Sequence, residues 1–417
     1  MKMKTSALAL LVATVLTGCA AQSSVPAAPE AAKEPAVVAA TDVVKRDLAD
    51  GLYEMALSPA GDALYVASSE GFKDVQGGVV YKLDPKTLKT IGRSHTDLKN
   101  FAMAISADGK VVYVTNSLDG GISALNTADG KVKGRTLFSE RNKEGFPYGA
   151  RQVLLHNGLL YIGAVADPAV IWVVDAETLK LKTRIKNTGK WMTGLHYSEK
   201  TQRIYAANGG GEILVINPRN NRIEHRWKPL GDKPALLLNM AEDTETGRLF
   251  VTDNSQAKAT LVVDINTGKL LKTLEVGDSL AVKFNPKRHE IYITRRDGGK
   301  LLSLDATSYA VKKTWDLPPN PNSMLLSADG QTLFVRVKQP FNKDHSTSAP
   351  DSVVEIQQTS QQQRPEIRYR GPHRVTLFAK DIPHGDRIGM RLPVGNADVF
   401  QAGEQLFRGL AFLGYAG

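Results

Sequence analysis

One aromatic residue inside a short β-rich run returns seven times along this chain, and that return constrains its fold more than any other feature. The seven are Tyr65, Tyr113, Tyr161, Tyr205, Phe250, Tyr292 and Phe334, spaced 48, 48, 44, 45, 42 and 42 residues apart. A second motif follows each of the first six, an apolar alternation that ends at Asp84, Asn126, Asp175, Asn217, Asp264 or Asp305 and then turns. It decays near Gln357. A third run, such as LKLKTRI or KLLKTLEV, comes after the turn. Each unit therefore supplies an inner strand, an aromatic strand, an Asp-ended strand and an outer strand. Asp-Gly, Asn-Gly, Asn-Pro and Thr-Gly turns join them, supplying positive φ or a preset φ. No segment carries a long helical period. Four-stranded units of this length are the mark of a β-propeller, in which radial repetition protects the strand edges.

The expected fold is all-β: a seven-bladed propeller of four-stranded blades over residues 41–358. The seventh unit supplies only three strands before a polar Gln/Ser stretch. Asp42 to Leu48, at the other end of the chain, can supply the fourth. Pairing the two ends closes the ring and removes an exposed edge.

The segments outside the repeat are different in kind. Met1 to Lys4 is a short basic start, and Ala7 to Leu16 is an apolar run too short to span a membrane comfortably. It ends in Leu16-Thr17-Gly18-Cys19, which resembles a bacterial lipobox. Residues 1–18 are thus expected to be a lipoprotein signal peptide, with acylated Cys19 as the mature N-terminus. Cys19 is the only cysteine, which excludes disulfides, cysteine-ligated zinc and iron–sulfur clusters. Residues 19–40 read as an Ala/Pro-rich tether. The expected location is the periplasm, lipid-anchored, at the outer membrane, because Ala20 rather than Asp follows the cysteine. The tail, 359–417, is basic and carries no propeller motif; a small appendage, a partner-binding arm and a poorly ordered end are its three readings. The net charge of +10 is spread along the chain, unlike the clustered surface of a dedicated duplex-DNA reader.

Several stretches carry a resemblance. VYVTN at 112–116 matches the YVTN-type repeat, and FVTDN at 250–254 is a degenerate copy. GGVVYKLDP (77–85), VIWVVD (170–175), SLAVKFNP (279–286) and PNSMLLSADG (321–330) lie alongside. The run from about residue 45 to 357 resembles the YncE-like periplasmic seven-bladed propellers. That resemblance implies an exported binding propeller with no defined reaction, associated in some members with nucleic acid.

In a propeller the loops entering the inner strands surround a central funnel, the usual ligand side. The funnel candidates are Tyr53, Phe101, Tyr148, Arg151, Lys190, Trp191, Asn239 and Asn322. The central loops of units three to five hold Arg141, Lys143, Arg151, Lys186, Lys190, Lys228 and Lys233 against Glu140, Glu144 and Asp232. Phe146, Tyr148 and Trp191 interleave with them. Aromatic platforms beside cations suit single-stranded nucleic acid, a small anionic ligand or a plugged channel. A propeller enzyme of lactonase or quinoprotein-like type is the alternative. Glu54, Asn239 and Asn322 could converge as lactonase ligands, but Asn and Glu near a propeller axis are commonplace. The eight His are scattered, and four Trp cannot supply quinoprotein docking repeats. No residue set combines a nucleophile, a base and an electrostatic stabiliser. The sequence points to a monomeric, non-catalytic binding scaffold without cofactor or metal, taking a ligand or a protein partner.

Overall fold

The computed structural model describes residues 43–70, 77–255, 257–342 and 346–358. The expected signal peptide and tether, Cys19 and the tail lie outside these residues. The described residues form 28 strands and no helix, arranged as seven four-stranded antiparallel sheets. Blade 1 runs through Leu52–Leu57, Leu64–Ser68, Val79–Leu83 and Thr90–His95. The inner strands of blades 2 to 7 are Asn100–Ile105, Gly149–His156, Met192–Ser198, Leu237–Asp243, Val282–Asn285 and Pro321–Leu326. Each inner strand adjoins that of the next blade, and blade 7 adjoins blade 1. The ring is closed.

Closure uses the two ends of the repeat region. Val43–Ala49 pairs antiparallel with Asp351–Gln357, which pairs in turn with Thr332–Val337 and so completes blade 7. Asp351 fixes this seam: its carboxylate accepts the Leu52 amide of blade 1 (2.9 Å) and the Gln339 amide (2.6 Å).

The seven repeat aromatics sit on the second strands and are at most 6% exposed, packed between neighbouring blades. The Asp and Asn residues that end the third strands make repeated turns. Asp84, Asp175, Asp264 and Asp305 each accept two backbone amides of the following turn and the hydroxyl of a Thr or Ser three residues on. These bonds to the ionised form hold Asp84, Asp175 and Asp305 below the ordinary aspartate value.

At the opposite end the inner strands bulge. Register shifts fall between Leu52/Met55, Asn100/Met103, Ala150/Val153, Met192/Gly194, Leu237/Met240 and Pro321/Ser323. A bulge bends the strand and re-aims its side chains, so these positions are where each blade can differ without breaking its sheet.

Candidate functional site

The bulged positions are Tyr53, Phe101, Arg151, Thr193, Leu238 and Asn322, and in blade 6, whose inner strand has no bulge, Leu280 holds the equivalent place just before Val282–Asn285. Several are used to lace the ring. Arg151 Nη1 donates to the Thr193 carbonyl, and Thr193 Oγ1 donates to the Leu237 carbonyl. One position further on, Asn239 Nδ2 donates to the Leu280 carbonyl (2.7 Å) and Ser323 Oγ to that of Tyr53 (2.9 Å). The second strands add to the lacing, since Thr115 Oγ1 reaches the Arg151 carbonyl and Thr252 Oγ1 that of Leu280.

Three of the sequence candidates meet in one stack. The Arg151 guanidinium lies 5.0 Å from the Phe101 ring centre, and Phe101 is 4.8 Å from Tyr53. Lys338 Nζ lies over the Tyr53 ring at 4.2 Å, and the Arg336 guanidinium lies 5.8 Å from it. Tyr53 and Phe101 are enclosed, and burial drives the Tyr53 hydroxyl well above the usual tyrosine value. Both rings therefore present their faces to cations of the chain itself. Tyr148 is half-buried and packs against the core cluster that holds Tyr53 and Phe101. Asn322 is buried beside this seam at the start of blade 7.

Lys190 and Trp191 form a separate unit. Lys190 Nζ sits 4.6 Å from the Trp191 ring centre. Trp191 has φ of 54°, an uncommon backbone state for a bulky residue. It is held there by its amide bonded to the Ala166 carbonyl (2.8 Å) and its carbonyl bonded by the Gly209 amide (2.9 Å). The ring rests on Gly209, where a Cβ would fall 2.6 Å from Cε3. Of the acids near the basic loops, Glu140 is taken by Arg184 of the strand Leu181–Ile185, and Asp232 lies 3.9 Å from Lys228.

The strongest electrostatic feature lies on the axis, and sequence reasoning missed half of it. Arg336 and Lys283 were not singled out. Arg336, on the second strand of blade 7, occupies the position held by Ala67, Thr115, Gly163, Ala207, Thr252 and Thr294 in the other blades. It is 1% exposed, its Nε donates to the Tyr53 carbonyl (3.0 Å), and its Nη1 has no hydrogen-bond partner among the described residues. Lys283 stands opposite Tyr292, where other blades carry Ala56, Ala104, Leu154, His196, Ala241 and Leu325. It is enclosed by protein yet keeps part of its surface open, and makes no hydrogen bond or ion pair among the described residues. His196, the other polar residue at that position, is bonded to Glu242 at 2.8 Å.

Burial lowers the pKa values of Arg151 (to about 10), Lys283 and Arg336; Glu54 opposes this for all three, joined by Asp351 at Arg336. Arg151 of blade 3 and Arg336 of blade 7 also repel one another. Blades 3 and 7 are not neighbours in a seven-membered ring, so that repulsion acts across the axis. Cations from blades 3, 6 and 7 are thus all attracted by Glu54 of blade 1, and Arg336 by Asp351 as well. Next to them, burial lowers Lys338 to about 8, against the attraction of Asp351 at 3.5 Å. Among the described residues no group of three or more His, Cys, Asp and Glu is placed to hold a metal ion.

Seven four-stranded blades around a charged funnel define the chain as a seven-bladed β-propeller. A solved propeller, the β-propeller domain of Cps50 (Swd1) from Myceliophteria thermophila, superposes with a TM-score of 0.57 at 12% identity, covering 76% of this chain and 98% of that one. No protein-family model matches the chain. Sequence relatives are nearer. "Uncharacterized protein YncE" of Salmonella typhimurium is 41% identical over 324 residues, 76% of this chain and 92% of the relative. Its namesake in Escherichia coli strain K12 is 40% identical over 323 residues, 76% and 91% of the two chains. The chain belongs to the YncE family.

Proposed function

We propose that this propeller is a non-catalytic binding scaffold of the cell envelope that takes an anionic ligand at its central funnel. The observation that carries the reading is the buried Arg336, 1% exposed, whose Nη1 has no hydrogen-bond partner among the described residues, set near the cation–aromatic stack of Tyr53, Phe101 and Arg151. A buried donor without a partner loses its hydration without return. An anion at the funnel would supply the missing acceptor. A nucleophile with a poised base is not part of the arrangement, since the funnel cations neighbour aromatic rings and backbone carbonyls.

Calorimetric titration with inorganic phosphate, citrate and a single-stranded oligonucleotide at two salt concentrations tests the reading. Saturable binding of at least one anion is expected. Binding of none, or a hydrolytic activity dependent on added metal, would overturn it. If the oligonucleotide binds through many phosphates, its affinity falls steeply with salt.

Attachment to the membrane through acylated Cys19 completes the proposal. The lipobox spacing supports it. Cys19→Ser should move the protein from the membrane to the soluble fraction, and an unchanged distribution would contradict the anchor.

A further inference from the structure

We infer that the junction between blades 1 and 2 holds a second binding site, a side pocket that takes a small carboxylic acid whose apolar body has the size of a Leu or Tyr side chain. The pocket is separate from the funnel and stands whether or not the funnel takes an anion. A cavity of about 210 Å³ lies there, its wall including Tyr65, Lys82, Ser94, Val112, Leu125 and Gly130. It reaches the surface at Ile91, which is 55% exposed.

The repeat explains why this junction is hollow. In blades 1 to 6 the fourth residue after the turn Asp or Asn has a positive φ: Leu88, Gly130, Leu179, Asn221, Gly268 and Tyr309. This residue reaches back to the preceding blade. Leu88 is buried with Phe334 and Val353 of blade 7. A Cβ on Gly134 of blade 2 would fall 3.1 Å from Leu179 Cδ1. Asn221 accepts the Tyr161 hydroxyl of blade 3 (2.7 Å), and the Tyr309 ring lies 5.4 Å from the Arg248 guanidinium of blade 5. A second residue comes from the outer strand of the preceding blade, at the place held by Ser94, Thr136, Ile185, Trp227 and Leu274 in blades 1 to 5. Where one of the two is small, the other is large. Thr136 meets Leu179, and Gly268 lies against Trp227, where a Cβ would fall 2.2 Å from the ring. Between blades 1 and 2 both are small, Ser94 and Gly130. Gly92 adds to the hollow, although a Cβ there would make only ordinary contact, 3.5 Å from Lys82 Cβ.

A void beside Tyr65, Val112 and Leu125 forfeits packing that the other junctions keep. Those junctions also show what fits: a Leu, a Tyr or a Trp side chain. An apolar cavity of about 150 Å³ is enough to take benzene. Lys82 adds polar recognition. Its Nζ lies 5.9 Å from the Tyr65 ring centre, donates to the Thr127 carbonyl at 3.3 Å and forms no ion pair among the described residues. An ammonium so placed has donors to spare, and a carboxylate is the partner that bonds them most strongly. The carboxylate at the wall, Asp129, is occupied by the Lys131 amide (3.0 Å).

The experiment is calorimetry on the full chain with phenylpropionate, beside its uncharged amide. Saturable binding of the acid is expected, with the amide about tenfold weaker for want of one charge-assisted hydrogen bond. Lys82→Met should bring the acid down to the level of the amide and leave the amide unchanged. Ser94→Leu, which installs the residue blade 5 carries at this place, should abolish binding of both and raise the melting temperature by filling the void. Acetyl-Gly-Gly-Phe separates two sources of the acid: a peptide end, if it binds as tightly as phenylpropionate, or a free small acid, if it does not bind. Phosphate binding at the funnel should be the same in both variants, so the two sites fail separately. No binding of phenylpropionate, or binding that survives Ser94→Leu, would overturn the pocket. An acid preference that persists in Lys82→Met would overturn the carboxylate's place at Lys82.

Discussion

The two ends of each blade follow opposite rules. At the turns after the third strands, Asp84, Asp175, Asp264 and Asp305 repeat one hydrogen-bond pattern around the ring. At the opposite end of the inner strands, bulged in every blade but the sixth, the equivalent residues are Tyr53, Phe101, Arg151, Thr193, Leu238, Leu280 and Asn322, with almost nothing in common. The first set closes hairpins, a task identical in every blade, and short polar side chains perform it best. The second set faces a shared axis, where each position contributes once to a single surface. Repetition marks what the fold requires, and departure from it marks where the molecule has a task of its own.

The largest expected effect tests the seam that makes the ring. Deleting residues 41–49 strips the outer strand from blade 7 and exposes the edge of Asp351–Gln357. Loss of cooperative unfolding or aggregation is expected on thermal denaturation, while deletion of 20–40 should leave the melting curve unchanged. Equal tolerance of both deletions would show that the ring does not depend on this strand.

A smaller effect belongs to Asp351 itself. Asp351→Ala removes the acceptor of two amides and leaves Lys338 buried without its carboxylate, which should cost about 3 kcal/mol in denaturant unfolding. A loss within error would mean that Lys338 draws on other partners.

Lys338 then gives the pH test. Its folded value, about 8, lies below that of an unfolded lysine, so the folded state releases this proton first. Between about pH 8 and 10 the unfolded chain binds more protons at this site, and stability should rise with pH by up to about 3 kcal/mol. Above that window the buried tyrosines reverse the trend, because the folded state keeps their protons longer. Lys338→Met should flatten the rise. A wild-type curve that falls steadily from pH 8 to 10 would contradict the assignment.

The smallest effect is expected at a repeated turn. Asp84→Ala deletes one exposed hairpin acceptor among several equivalents. A slight stability loss and unchanged anion affinity are expected. An altered affinity would break the division between fold-making and ligand-facing ends.

What was legible in the sequence follows the same division. The aromatic strands, the Asp-ended turns and the closing N-terminal strand could be read because local chemistry fixes them: a buried ring, a tight turn, an unpaired edge. Arg151 could be read as a funnel residue because it enters an inner strand just after a loop. Tyr53 and Phe101 look like open platforms in sequence, and only the packing of neighbouring blades shows their faces taken by Arg151, Lys338 and Arg336. Lys283 and Arg336 lie within strands, outside every loop. Their signal was present all the same, as the one Lys and the one Arg in two columns of aligned blades.

The central claim, that the funnel takes an anion, is tested most directly by a crystal structure of the full chain soaked with selenate, located by its anomalous signal. The account predicts a selenate at the funnel within hydrogen-bond distance of Arg336 Nη1, the buried donor without a partner among the described residues. A structure with no selenate at the funnel would contradict it.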